Sequence, residues 1–390
     1  MRPARLTVPL VTTVLLFVAV IVWLSIRSYN THEQIGNEDA TADWLVASAF
    51  ADGIDPHIEL FELASIYEVD FWPSETEESR ISRHPRTPGS LILLYPLSWV
   101  DADDALLTML ITGLVCSGAG LLFLCRLRVI SYSSLFLGLV YVTLLGPGRW
   151  SQIFGTHLAV ILLCVAVAFT LLWRRDSIGS GVWLAVAATL RLFPAVLLIA
   201  LLMRRKSKAA VAMITTTILL NLVPLLFSHV SLASTLQALT STTGRWFDLE
   251  SNISLSRGLA HWLPMSTSVV VALIVLLLVG GWFILHSASL PASGEWTVLL
   301  SLAVMALPLS WPQYLLAVVP VFMVFAEEVR FESVVGAALT VASIVLTISV
   351  SRTQIYIVGL TLLVAVLGGI AATDKSRSSK VVVAPMTGGD

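Results

Sequence analysis

The hydrophobic positions of this chain come in long unbroken blocks. They cover about 7–26, 104–125, 129–146, 154–173, 178–203, 209–227, 266–285, 296–309, 313–326, 334–350 and 354–371, with short polar connections between most of them. A helix crossing a hydrocarbon layer about 30 Å thick needs about 20 apolar residues. The pattern therefore predicts an all-α polytopic membrane protein. Most blocks are of a length for one crossing each, which gives about 10 full transmembrane helices. The block at 178–203 differs: it has basic clusters at both ends and Arg191 and Pro194 near its middle. Two half-helices folded back as a re-entrant hairpin satisfy both flanks, because non-helical backbone is tolerated at membrane depth where it lines a protein cavity.

Basic residues in short loops mark the cytoplasmic side. With Arg2 and Arg5 inside, the first helix leaves residues 27–103 outside, and Arg126, Arg128, Arg174, Arg175 and the RRKSK cluster fall inside. On this map 14 of the 23 Lys and Arg lie on the inner side, 8 outside and Arg191 at depth, and both termini are cytoplasmic. The first block is followed by RSYNTHEQ, with no small-x-small cleavage pattern, so it reads as a retained helix and not a signal peptide. The organisation expected is one membrane-embedded domain over 1–373 and a disordered cytoplasmic tail over 374–390, in the plasma membrane.

Composition agrees. Only 12% of residues are charged and 57% are apolar, against about 25% charged in soluble domains. A net charge of −2 excludes the basic face that a nucleic-acid binder carries. Cys116, Cys125 and Cys164 all sit inside apolar blocks and form no zinc spacing or disulfide framework. The seven histidines are scattered singly, with no i, i+4 pair.

The polar residues are unevenly placed. Residues 27–88 hold 13 of the 25 acids and four arginines, so this long first extracytoplasmic loop is where soluble chemistry belongs. Mixed apolar and polar spacing at 41–51 and 57–67 predicts short interfacial helices. Asp39 and Asp43 stand four apart and share one face if their stretch is helical; Asp55-Pro56 reads as a turn. Arg191 is costly at membrane depth and is a functional candidate by default, with a guanidinium fork that matches phosphate; capping of hairpin carbonyls is the plainer alternative. The tryptophans of the outer side form an interfacial belt, with Trp311 the candidate for stacking on a sugar.

Four stretches carry a resemblance. Asp39 precedes Gly53 by 14 residues and Asp55-Pro56-His57 follows. RTPGSLILLYPL occupies 86–97. GRWSQIFGTHLAVILL leads to the Arg-Arg-flanked block around Arg191-Leu192-Phe193-Pro194. SNISLSRGL (251–259) is joined by LPLSWPQYLLAVVP (307–320). Together they resemble the integral-membrane C-type glycosyltransferases, and are most similar to the polyprenyl-phosphate-mannose-dependent alpha-mannosyltransferases. In that family a histidine pair follows Ser-Trp, where this chain has Gln313 and Tyr314.

The resemblance implies a polyprenyl-phosphate sugar donor, a glycolipid or glycan acceptor, surrounding membrane lipids and direct displacement with inversion. An acceptor hydroxyl needs a carboxylate to take its proton, and the phosphate leaving group gains from fixed cations. Asp39 is the first candidate base and Asp43 the second, or a ligand of the acceptor sugar. Arg191, Arg257, Gln313 and Tyr314 are the candidate donor-phosphate residues, and Gln152, His157, Asn252 and Trp311 the candidate substrate contacts. No cofactor is required; a divalent cation on the loop carboxylates stays open. A secondary transporter would share the broken helices and the buried arginine, but the chain has no internal repeat. A lipid-binding relative without activity is the other alternative.

Overall fold

A computed structural model describes residues 38–69, 83–144, 151, 156–174, 177–247, 252, 254–286, 291–308 and 310–329. The expected first helix, the last helical pair, the tail and Gln152 lie outside these residues. Among the described residues the chain is helical without strands; Glu59 and Arg83 form one isolated antiparallel bridge.

The described chain opens with α1, Glu38–Ala51, and α2, Leu60–Ile66. A left-handed Gly53 (φ 75°) follows α1, a conformation glycine adopts without strain. The α3 helix, Pro88–Leu94, starts where its sequence says it should: Thr87 accepts a hydrogen bond from the Ser90 amide, and Pro88 fills the first turn. A 3₁₀ turn, Tyr95–Trp99, leads to α4, Ala102–Arg126, which has Asp103 and Asp104 in its first turn and Arg126 in its last. Those charges complement the helix dipole at both ends.

Then come α5 (Tyr132–Leu144), α6 (Leu158–Trp173), α7 (Ser177–Leu190), a 3₁₀ turn (Phe193–Val196), α8 (Leu197–Met203) and α9 (Ser207–Phe227). After them lie α10 (Leu232–Trp246), α11 (Leu255–Leu259), α12 (Met265–His286), α13 (Ala292–Ala306), a 3₁₀ turn (Pro312–Ala317) and α14 (Val319–Val329). Of the described helices, α4, α9 and α12 are long and apolar enough to cross a membrane; α6, α7 and α13 are apolar but shorter. The expected number of about 10 crossings is not reached within these residues.

The core falls into two clusters. The larger joins α4–α9, α12, α13, α14 and the 312–317 turn; the smaller joins α1, α2, α3 and the start of α4. In the smaller one α1 is enclosed along its length: Ala40, Ala42, Leu45, Val46, Ala47 and Ala49 are all buried. The helix expected on the outer surface is instead sunk into protein. Its alanines leave room for neighbouring backbones on every side, and it has no polar face to present to water. The shorter α2 does keep Phe61 and Ile66 exposed.

Two glycines place α7 against α9. A Cβ on Gly181 would run into the Ala209 carbonyl and lie 2.9 Å from the Met213 amide nitrogen. A Cβ on Gly89 would stand 2.6 Å from Thr189 and 2.9 Å from the Leu220 backbone, so Thr189 and Leu220 lie at one level. Both helices advance together from the first contact to the second, and so run parallel. Residues 191–206 must then return from the far end to the near one, and α8 is part of that return. The break falls where Pro194 dictates, since a proline ring clashes with the carbonyl four residues earlier, here Leu190. The end of α8 is tied by Arg204 Nε, which donates to Glu295 Oε2 at 2.6 Å.

Candidate active site

The turn at Arg191 brings α7 to the segment between α2 and α3. Thr87 Oγ1 donates to the Thr189 carbonyl at 2.7 Å, and the Gly89 amide donates to Asn221 Oδ1 at 3.1 Å. Just before these anchors the Arg86 amide donates to the His84 carbonyl at 3.0 Å, a three-residue γ-turn centred on Pro85 that presents a histidine and an arginine together.

Both meet Asp43. The Asp43 side chain is fully buried. Its Oδ1 accepts from His84 Nε2 at 2.8 Å, from Arg86 Nε at 2.6 Å and from Arg86 Nη2. Its Oδ2 accepts from Nδ1 of His157, just before α6, at 3.0 Å. Burial alone would push the Asp43 carboxyl up; Arg86 and the hydrogen bonds from His157 and His84 outweigh it and hold the group well below the usual carboxylate range. A carboxylate so engaged is an anchor for its neighbours and a poor proton acceptor. Burial and the Arg86 charge push His84 down to about 3, so it is a neutral donor. His57 Nε2 donates to the Arg86 carbonyl at 2.9 Å and fixes the backbone of the same residue.

Around this anchor lie two more charges. Asp39, one turn before Asp43 on α1, is half-buried, and its charge favours the charged form of Arg86. Burial lowers the Arg86 pKa from its ordinary value, as does the nearby charge of Arg191. Arg191 lies with its guanidinium 5.4 Å from the Tyr314 ring centroid, within cation–π range. Tyr314 in turn stacks on Phe193 (5.5 Å between centroids, 13° between planes). The proline-induced break therefore carries both the arginine and the ring that supports its partner.

Of the sequence candidates, Asp39, Asp43, His157, Arg191 and Tyr314 come together here. Gln313 and Tyr314 are buried, and Trp311 packs on the larger core cluster. Asn252 is a pin: Nδ2 donates to the carbonyls of Phe247 and Pro308, both at 3.0 Å, and Oδ1 accepts from the amides of Ser254 and Ser310. Its polar capacity goes to backbone, half in its own segment and half at Pro308 and Ser310 in the segment leading to Trp311. Arg257 lies on the short α11, whose start is capped by Ser254. Among the described residues no group of His, Cys, Asp and Glu is arranged to hold a metal ion.

Sequence reasoning missed His84 and Arg86 as site residues. The legible signal was the His-Pro-Arg triplet, in which the fixed φ of proline suits the centre of a tight turn that brings its two flanking residues to one partner.

No curated protein matches the chain. Glycosyltransferase family 87 matches residues 87–312. This span holds Arg191, Arg257, Asn252, His157 and the break at Pro194, and starts immediately after Arg86. It covers more than half of the 390 residues, and the chain, with its long apolar helices and its buried cluster of charges, belongs to glycosyltransferase family 87.

Proposed function

We propose that this glycosyltransferase takes a hexose, with mannose the first sugar to try, from a polyprenyl-phosphate donor. It passes the sugar, with inversion, to a hydroxyl of a glycolipid or glycan on the extracytoplasmic face of the plasma membrane. One observation supports the reading above others. Two arginines, Arg86 and Arg191, lie close enough for each charge to act on the other, and the single fully buried carboxylate between the histidines already serves as partner to Arg86. Asp43 is committed to Arg86, while Arg191 keeps a buried Nε with no hydrogen-bond partner among the described residues; a guanidinium donor of that kind suits an anion, and a phosphate leaving group is the anion a transferase handles.

In this reading Arg191 is held to the leaving phosphate, with Tyr314 behind it, while Asp39 takes the proton of the attacking hydroxyl. Asp39 suits the role better than Asp43. It is half-buried, whereas Asp43 faces four N–H donors. As the oxygen–carbon bond to the anomeric centre forms, the carbon–oxygen bond to phosphate breaks, the electron pair leaves with the phosphate and the proton goes to Asp39. We read the 178–203 segment as a re-entrant hairpin with both ends cytoplasmic and the Arg191 turn toward the outer side. Both chain termini are cytoplasmic.

The test uses purified protein in nanodiscs, labelled polyprenyl-phosphate mannose and a lipid extract of the host membrane. Transfer of label that Asp39→Asn abolishes, with the folded fraction unchanged, supports the assignment. Wild-type turnover in Asp39→Asn removes Asp39 as the base, and absence of donor binding removes the lipid-phosphate reading.

A further inference from the structure

Three side-chain nitrogens around the Asp43 carboxylate and Arg191 are buried and have no hydrogen-bond partner among the described residues: Arg86 Nη1, Arg191 Nε and His157 Nε2; a fourth, His57 Nδ1, lies 3.6 Å from Asp55 Oδ1. Buried polar groups in folded proteins are nearly always satisfied, so three orphans in one cluster point to a ligand. They are not of one kind. The two arginine nitrogens are donors. His157 directs its Nδ1 proton to Asp43, and that hydrogen bond fixes the tautomer, so Nε2 carries a bare lone pair and is an acceptor. His157 is 4% exposed, and the charges of Arg86 and Arg191 both reach it.

Such a set fits a molecule that offers acceptor oxygens to the arginines and a hydroxyl donor to the histidine. A glycosyl phosphate has both. The sugar-free lipid phosphate left after transfer has the oxygens but no sugar hydroxyl. It also gains a second ionisation near neutral pH, which draws it more strongly to the arginines. On charge alone the product would outcompete the substrate.

We propose that His157 Nε2 accepts a hydrogen bond from a hydroxyl of the donor sugar. His157 is thereby the residue that distinguishes the loaded glycosyl phosphate from the sugar-free lipid phosphate. The inference rests on the lipid-phosphate donor of the proposed function. Asp43 acts through His157, by locking the tautomer that exposes the lone pair.

The experiment measures binding of polyprenyl-phosphate mannose and of polyprenyl phosphate of the same chain length to the full chain in nanodiscs. Wild type is compared with His157→Asn and His157→Phe. The asparagine amide nitrogen stands as many bonds from Cβ as Nδ1 does, so it keeps a donor to Asp43 but places nothing at the reach of Nε2. His157→Asn is expected to weaken the loaded donor by about tenfold or more, as when a buried acceptor loses its hydroxyl partner, and to leave polyprenyl phosphate within about twofold of wild type. His157→Phe removes the Asp43 contact as well and reports the structural share of the residue. Equal weakening of both ligands in His157→Asn, or weakening of neither, overturns the inference alone. Failure of wild type to bind the loaded donor overturns the lipid-phosphate reading and the inference together.

Discussion

His157 donates its Nδ1 proton to Asp43 Oδ2 at 3.0 Å across 114 residues of sequence. The bond joins α1 to the start of α6. On the other carboxylate oxygen Arg86 closes with two nitrogens, so one buried side chain ties three segments of the chain together.

Asp43→Asn should therefore damage the fold more than Asp39→Asn does. It leaves the fully buried Arg86 without its counter-charge, and removing one partner of a buried pair costs about 3–5 kcal/mol. Thermal unfolding in detergent micelles checks this. A melting temperature for Asp43→Asn equal to that of Asp39→Asn would show that the carboxylate is not an anchor.

The same cluster sets an acid limit on stability. His84 has a folded pKa of about 3 against an unfolded value of about 6.5. The unfolded chain therefore binds its proton first as pH falls. The contribution of His84 is complete above about pH 6.5 and is lost between there and about 3, by up to about 1.4 kcal/mol per pH unit. Burial also lowers His57, which adds to the loss in the same direction. The Asp43 contribution is present above about pH 3.9 and goes only as pH falls toward its lower folded value. Unfolding midpoints between pH 7.5 and 4.5 should fall for wild type and fall less steeply for His84→Gln, which keeps a donor but does not titrate. Equal slopes would count against a neutral buried His84.

Gly181 tests the contact of α7 with α9. Any side chain there meets the backbone at Ala209 and Met213, which cannot rotate away, whereas Gly280 has nothing within 4 Å of its Cβ position. Gly181→Val should destabilise the protein by about 1–3 kcal/mol through overpacking. Gly280→Ala should be neutral or stabilising by up to about 1 kcal/mol, as helix propensity dictates. Comparable melting temperatures for the two variants would deny the close approach.

The parallel run of α7 and α9 puts Ile178 and Lys208 at the same end of the helix pair, which the proposed orientation makes cytoplasmic. Single cysteines at Ile178 and Lys208, in a background without the native cysteines, should label from the cytoplasmic side in sealed vesicles. Labelling of the two positions from opposite faces would rule out the hairpin.

Much of this protein was legible along the chain, because burial in a bilayer demands long apolar helices and leaves charge only where it is solvated or used. Blocks such as 104–125 and 209–227 became α4 and α9 nearly at their expected limits, Pro194 marked the break in 178–203, and the cost of a charge at depth singled out Arg191. The pairing of charges was not legible. Asp39 and Asp43 are one helical turn apart in similar local sequence, yet one is half-buried and the other is sealed under Arg86, His84 and His157. Tertiary packing alone decided that difference. The enclosure of α1 by α2, α3 and α4 desolvates Asp43 and brings to it partners 41, 43 and 114 residues away, and a carboxylate is an anchor or a base according to the donors that reach it.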